Sequence, residues 1–583
     1  MRRTKIVCTI GPASEQPTVV KQLLSAGMDV ARLNFSHGDH EAHKRQINTL
    51  RAVAQEQGQQ LAILLDTRGP EIRIGTFASG QVTLVEGDIF TFTTYPVLGD
   101  RKRVQVMYPQ LPRDVHSGQI ILLADGTISL EVLEVTASEV KCRVLNGGVL
   151  SDRKKLNLPG CVVSLPALSD QDVADITFGV ENKVDFIAAS FIRKAEDVLQ
   201  IRALLEKLQA RTPIIAKIES GEGVENIDTI LKVADGVMVA RGDLGVEIPA
   251  EEVPLIQKLI IRKANQLGKP VITATQMLES MISSPQPTRA EASDVANAIL
   301  DGSDAVMLSA ETATGRYPVE AVSYMARIAK RTESALHYGN GTRYQDLDKG
   351  VSVTDAISYA TCTAARALTA RAILVSTSSG YTARMIAKNR PEAPIIAVTS
   401  SETVLRQLLL VWGVFPLWAR ATANTDEMID LAVETALEHG YIKEGDLVVI
   451  TAGVPAGVAG TTNLIKVQIV GDILARGVGI GHIGVAGSVS VLRDAAEGER
   501  KFKRGQILVA KATDKAMVPY MEQAAAIIVE EGSLTSHAAV VGLNLGIPVI
   551  AGVNNACALL QDGMVVTVDP VRGLIYRGRA QVK

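Results

Sequence analysis

The strongest constraint on this chain is an alternation. Eight short apolar, β-branched runs, at 4–10, 29–33, 61–65, 186–189, 214–218, 237–240, 271–274 and 305–308, are mostly followed by stretches with helical apolar spacing such as 195–209, 253–267 and 318–335. Runs apolar at every position suit strands buried on both faces, and strand–helix alternation makes them parallel neighbours. Eight such units predict an α/β fold of the (β/α)₈ barrel kind, with its working face at the strands' C-terminal ends. Polar residues close seven of the runs: Arg32, Asn34 and Ser36; Asp66 and Thr67; Ser190; Lys217 and Glu219; Arg241 and Asp243; Thr275 and Gln276; Ser309 and Glu311. One such set is ordinary capping of a strand leaving the core. Recurrence on seven strands points to a polar site at one mouth.

The barrel accounts for only part of the chain. At 583 residues and roughly 150 residues per domain, about four domains are expected. The barrel is assigned 1–69 and 170–340. Residues 70–169 lose the helical period and read as short strands between turns such as Glu86-Gly87-Asp88 and Asn146-Gly147-Gly148. They form an inserted all-β domain that leaves the barrel beside its polar mouth and could close on a ligand as a lid. A polar stretch, 337–350, reads as a linker to an α/β domain at 341–473. A Val/Ile/Gly-rich unit of swivelling type follows at 474–583.

Composition excludes several functions. Lys and Arg number 60 against 63 Asp and Glu, a net charge of −3, and 4% of residues are aromatic. That balance gives no whole-chain attraction to polyanions and so few aromatics leave little base-stacking surface, so no nucleic-acid partner is expected. The longest apolar run, about 408–419, is broken by Gly413 and Pro416 and falls short of the roughly 20 residues of a spanning helix. The first apolar run ends at Ile10, too short for a signal-peptide core. Five scattered cysteines without C-x-x-C fit a reducing cytoplasm better than a disulfide framework or zinc clip.

Lys217-Ile218-Glu219 places an ammonium and a carboxylate on one face of one strand. Alone this is more often a structural ion pair. Asp243, closing the next strand within Arg241-Gly242-Asp243, adds a second carboxylate, and two oxygen donors on neighbouring strands suit Mg²⁺.

Six segments then converge on one family: 4–14 (TKIVCTIGPAS), 31–38 (ARLNFSHG), 65–73 (LDTRGPEIR), 215–219 (IAKIE), 240–245 (ARGDLG) and 274–281 (ATQMLESM). Together they resemble pyruvate kinase, in order, from about residue 1 to 473. The resemblance implies phosphoryl transfer from phosphoenolpyruvate to ADP, giving ATP and an enolate that is protonated to pyruvate. It implies that Glu219 and Asp243 hold Mg²⁺ or Mn²⁺, that Lys217 meets the migrating phosphoryl, and that Arg32 and Arg73 grip its oxygens. Thr275 would assist protonation through water, and Gly242 would line the substrate. Asn34, Ser36, Asp66 and Thr67 would hold K⁺, with Glu71 as the acidic residue that accompanies K⁺ dependence. His37, Pro12, Arg73 and Lys154 would touch the nucleotide. Arg68 stands where lysine is more usual. A homotetramer is the family's expected assembly.

Two further motifs belong to the later domains. Ser376, Thr377, Ser378, Ser379, Gly380 and Thr382 form a hydroxyl-rich turn between a strand and a helix. Against the family background it reads as an effector site for a phosphorylated sugar or nucleotide. The run 531–548 resembles the phosphohistidine domain of phosphoenolpyruvate-utilising enzymes, with His537 at the carrier position, although Ser533 and Gly542-Leu543 depart from its pattern. The match of 479–484 to G-x-G-x-x-G is rejected as a dinucleotide site, because a strand rather than a helix follows. A dikinase-type phosphotransferase, a carbon–carbon lyase and a sugar-phosphate sensor remain as weaker alternatives.

Overall fold

The computed structural model describes residues 1–161, 163–336, 352–422, 424–453, 462–471 and 473–580. The expected linker at 337–350 lies outside them. The described chain divides into two units: 1–340 with 402–414, and 341–401 with 415–583.

In the first unit the eight runs close into one parallel barrel: β1 (Lys5–Thr9), β2 (Val30–Asn34), β3 (Ala62–Asp66), β4 (Phe186–Ala189), β5 (Ile214–Ile218), β6 (Gly236–Ala240), β7 (Val271–Ala274) and β8 (Ala305–Leu308). β1, β3, β4, β5, β6, β7 and β8 are buried at every position, the reason their sequences show no polar alternation. Register aligns the polar exits. Asn34 pairs with Asp66, and Ala188 on β4 also pairs with Asp66. Helices start where the sequence caps them: Thr288 and Glu291 form a capping box before Arg289–Asp301, and Pro318 opens Pro318–Glu333.

The inserted domain builds a six-stranded and a two-stranded sheet around its own core, with Phe90 and Phe92 edge-on at 5.5 Å. It leaves the barrel through Gly69, whose φ of +73° and tight surroundings exclude a side chain: a Cβ would lie 2.7 Å from Ser190 Cβ and 2.8 Å from Phe191 Cδ2.

One segment departs from the expected division. Residues 402–414, read as part of the α/β domain, belong with the barrel. Leu409 and Leu410 join Val7, Val30, Leu64, Phe186 and Met307 in one cluster of the barrel interior. Arg406 Nε donates to Asp185 (2.7 Å), Trp412 N to Asp304 (3.1 Å) and Lys5 Nζ to the Val414 carbonyl (2.6 Å). Burial lowers the Lys5 pKa to about 8. Leu410 is fully buried, so Leu410→Ala should cost about 2–5 kcal/mol, seen as a lowered midpoint in denaturant unfolding.

The second unit contains a five-stranded sheet in the order Val414–Trp418, Ile395–Thr399, Ala372–Ser376, Leu447–Gly453 and Thr462–Ile469, the last strand antiparallel. An eight-stranded sheet follows, in which the strand 478–480 is succeeded by the strand 485–492 rather than by a helix. Among the described residues no helix is long and apolar enough to cross a membrane.

Candidate active site at the barrel mouth

Lys217 ends β5 with its side chain directed to the barrel axis, because alternate strand residues share a face. Its Nζ lies 2.9 Å from Asp66 Oδ1, 2.7 Å from Ser190 Oγ and 3.1 Å from Glu219 Oε1. Burial opposes this charge, but the carboxylates of Asp66 and Glu219 outweigh it and hold the ammonium's pKa above the ordinary lysine range. Asp66, fully buried, also accepts from Arg32 Nε at 2.5 Å, and Arg32 Nη1 donates to Thr9 Oγ1 at 2.9 Å. Despite burial, those two cations hold the Asp66 carboxyl below its usual range. Two cations and two carboxylates from β2, β3 and β5 thus meet at one mouth.

Glu219 is poised differently. Its Oε2 accepts from Phe191 N at 2.7 Å, and burial together with the Asp243 charge raises its pKa despite Lys217. Asp243, in the helix Arg241–Glu247 that follows β6, is 39% exposed. Its Oδ1 is met at 2.5 Å by Lys155 Nζ, a lysine of the inserted domain that also lies 4.0 Å from Glu71 and 4.4 Å from the centroid of Phe191. Lys155 thus brings its ammonium onto Asp243 and within the electrostatic reach of Glu219. No group of three or more His, Cys, Asp or Glu side chains able to hold a metal occurs among the described residues. Two carboxylates suit a Mg²⁺-like ion that takes its other oxygens from water and substrate.

Thr275 adopts φ +67° and Gln276 +54°, conformations costly for a β-branched residue and concentrated at functional sites. The Thr275 hydroxyl donates to the Ala274 carbonyl (2.6 Å) and accepts from Gly242 N (2.7 Å). Arg241 donates to the Thr275 carbonyl and pairs with Asp294, both through Nη2.

The expected monovalent-cation set lies on adjacent strand ends. Asn34 Oδ1 accepts from Ser36 N at 3.2 Å, and Thr67 Oγ1 accepts from Ser190 N at 3.2 Å. Other sequence candidates stand apart from the Lys217 cluster. Arg73 pairs with Glu71 and donates to the Arg153 carbonyl. The His37 carbonyl accepts from His43 Nε2, and Pro12 is exposed at the exit of β1. Of two adjacent lysines, it is Lys155 rather than Lys154 whose ammonium reaches the carboxylates; Lys154 contributes its carbonyl to Ile74 N. Sequence reasoning missed Lys155, Phe191 and Arg193. The strand-end positions of Phe191 and Arg193, directly after Ser190, were the available signal.

In the second unit, Thr377 Oγ1 accepts from Gly380 N (2.9 Å), Ser379 Oγ from Tyr381 N (3.4 Å), and Thr382 shares a 2.8 Å hydroxyl contact with Thr462. Ser376 Oγ is buried without a hydrogen-bond partner. His537 opens the helix His537–Leu545, its Nδ1 2.9 Å from Thr513 Oγ1.

Comparison with known proteins agrees with this geometry. The pyruvate kinase barrel-domain model matches residues 1–322, its alpha/beta-domain model 355–468, and the mobile-domain model of PEP-utilising enzymes 502–573. A pyruvate kinase of Geobacillus stearothermophilus is 57% identical over the full length of both chains, and one of Sporosarcina psychrophila 53%. A crystal structure of a pyruvate kinase from Cryptosporidium parvum superposes with a TM-score of 0.77 at 41% identity, covering 80% of this chain and 96% of that one. Barrel, inserted domain, mouth residues and full-length relatives lead to one assignment: the chain belongs to the pyruvate kinase family of phosphotransferases.

Proposed function

We propose that the barrel mouth transfers the phosphoryl group of phosphoenolpyruvate to ADP through Lys217, with Glu219 and Asp243 as its divalent-cation ligands. The observation that carries this is the Lys217 ammonium, held charged between Asp66 and Glu219 at the strand ends. Phosphoryl transfer needs alignment and charge stabilisation more than covalent help. A Mg²⁺ or Mn²⁺ ion on the two carboxylates would supply positive charge beside the substrate's own anionic oxygens. Lys217 stabilises charge on the migrating group, and Arg32 offers a rigid cationic fork beside it. Arg73 and Lys155, on or at the root of the inserted domain, would meet the nucleotide phosphates, and the family likeness adds Lys154, His37 and Pro12 as further nucleotide contacts. Thr275 positions the water that protonates the enolate. Its own proton is engaged with Ala274 O and its oxygen accepts from Gly242 N, so it orients rather than donates.

Asn34, Ser36, Asp66 and Thr67 are the proposed K⁺ donors, supported by the Asn34–Asp66 register. The turn 376–382 is the proposed site for a phosphorylated effector, and His537 a candidate phosphate carrier or its regulatory remnant. A cytoplasmic setting is supported by five free cysteines whose thiol pKa values burial raises. The homotetramer rests on the family likeness. Pyruvate formation measured with Mg²⁺ should fall sharply when K⁺ is replaced by Na⁺ and return when K⁺ is restored. Equal rates in the two salts would remove the K⁺ assignment, and strict K⁺ dependence surviving Asp66→Asn would remove Asp66 from it.

A further inference from the structure

Arg193 takes no part in the chemistry above, yet the barrel buries it to 7% exposure. Its guanidinium points at chain outside the barrel strands. Nη1 donates to the Val163 carbonyl at 2.8 Å and Nη2 to the Leu165 carbonyl at 2.7 Å, while Nε lies 3.6 Å from Asp197. Residues 163–165 lie on the return connection from the inserted domain to the barrel. The amide between those two carbonyls, Ser164 N, faces the other way. It donates to Tyr108 Oη and Asp114 Oδ2 of the inserted domain, both at 3.0 Å. The connection is therefore gripped from the barrel by Arg193 and from the inserted domain by Tyr108 and Asp114.

The loop that carries Arg193 holds three other things. Ser190 and Phe191 pack against Gly69, the outbound crossing, leaving no room for a Cβ. Phe191 N donates to Glu219 Oε2, from a backbone at φ +54° that a bulky residue rarely adopts. The Phe191 ring also lies beneath the ammonium of Lys155, which reaches Asp243. The four-residue exit of β4 thus touches both crossings of the inserted domain and one of the two acidic side chains of the site.

We propose that Arg193 is a positioning residue for phosphoryl transfer: it ties the return crossing of the lid to the loop that holds Glu219, so that Lys155 arrives on the acidic pair in register. The inference rests on the reading of residues 70–169 as a lid over the transfer site. A buried bidentate guanidinium fixes direction as well as distance, which lysine's single ammonium does not. A loosened crossing would let the lid wander by about an ångström, enough to cost on the order of 10²-fold in a reaction that depends on alignment.

The test separates the two halves of the reaction. Exchange of pyruvate methyl protons for deuterium breaks and re-forms a C–H bond through the enolate. It needs the barrel mouth and Mg²⁺ but no transfer between lid and barrel. For Arg193→Lys, kcat/KM for ADP should fall on the order of 10²-fold, with methyl exchange in D₂O followed by proton NMR little changed. Amide exchange of the peptide spanning 163–167 should quicken in the same variant. Tyr108→Phe deletes only the hydroxyl of the opposite grip and should likewise lower kcat/KM for ADP and quicken amide exchange while leaving methyl exchange little changed, so the test survives if Arg193→Lys does not fold. Wild-type values of kcat/KM and amide exchange in both variants, or parallel loss of transfer and methyl exchange, would overturn the role of Arg193. Absence of transfer in the wild-type enzyme would instead overturn the reading of the site.

Discussion

Lys217→Met is expected to fold, to bind divalent metal and to lose on the order of 10³-fold in kcat. The size follows from electrostatics. One cation about 4 Å from developing charge, at an effective dielectric near 20, is worth roughly 4 kcal/mol, or about three decades in rate. Folding should survive because Arg32 still pairs with Asp66 at 2.5 Å. Stability should nevertheless fall, since Glu219 loses its nearest cation inside the protein. Steady-state kinetics beside a thermal melt distinguish the two effects. A drop in kcat with a modest fall in midpoint supports a catalytic Lys217. Near-normal turnover would take it out of the chemistry.

Glu219→Gln is the second large effect. Glutamine keeps the shape and can still accept from Phe191 N, so the loop after β4 stays in place. What it removes is half the negative charge that Glu219 and Asp243 together offer a divalent ion. Weakening by 10–100-fold is typical when even the supporting partners of a metal site are lost; for a ligand itself the Mg²⁺ needed for half-maximal rate should rise by at least about that much. The rate at saturating Mg²⁺ should fall as well, because Lys217 then leans more heavily on Asp66. Titrating activity against Mg²⁺ for wild type and variant measures both. An unchanged Mg²⁺ requirement would mean that Glu219 serves only as the counter-ion of Lys217.

What could be read from the sequence, and what could not, follows a physical line. The barrel strands were legible because burial on both faces erases polar alternation, and the structure places strands at all eight runs. The mouth was legible because polar residues at strand ends stand out against such runs. Lys217 and Glu219 share one face, as residues two apart on a strand must. Lys155 was not legible. Which of two adjacent lysines turns toward Asp243, 88 positions away, is decided by how the inserted domain is hung. Segment 402–414 shows the same limit. Leu408, Leu409 and Leu410 announce burial by being apolar, but apolarity does not say against what, and the barrel interior takes two of them. For Arg193 the strand-end position was visible but the role was not, because two of its partners are the backbone carbonyls of Val163 and Leu165, which no side-chain pattern records.

The account depends on phosphate moving from one donor to one acceptor at the barrel mouth. Phosphorus NMR of the wild-type protein with phosphoenolpyruvate, ADP, Mg²⁺ and K⁺ follows that directly. The donor resonance should be replaced in step by the γ-phosphate of ATP, and the replacement should be slowed on the order of 10³-fold by Lys217→Met. A donor that persists beside unphosphorylated ADP, or that yields only inorganic phosphate, would contradict it.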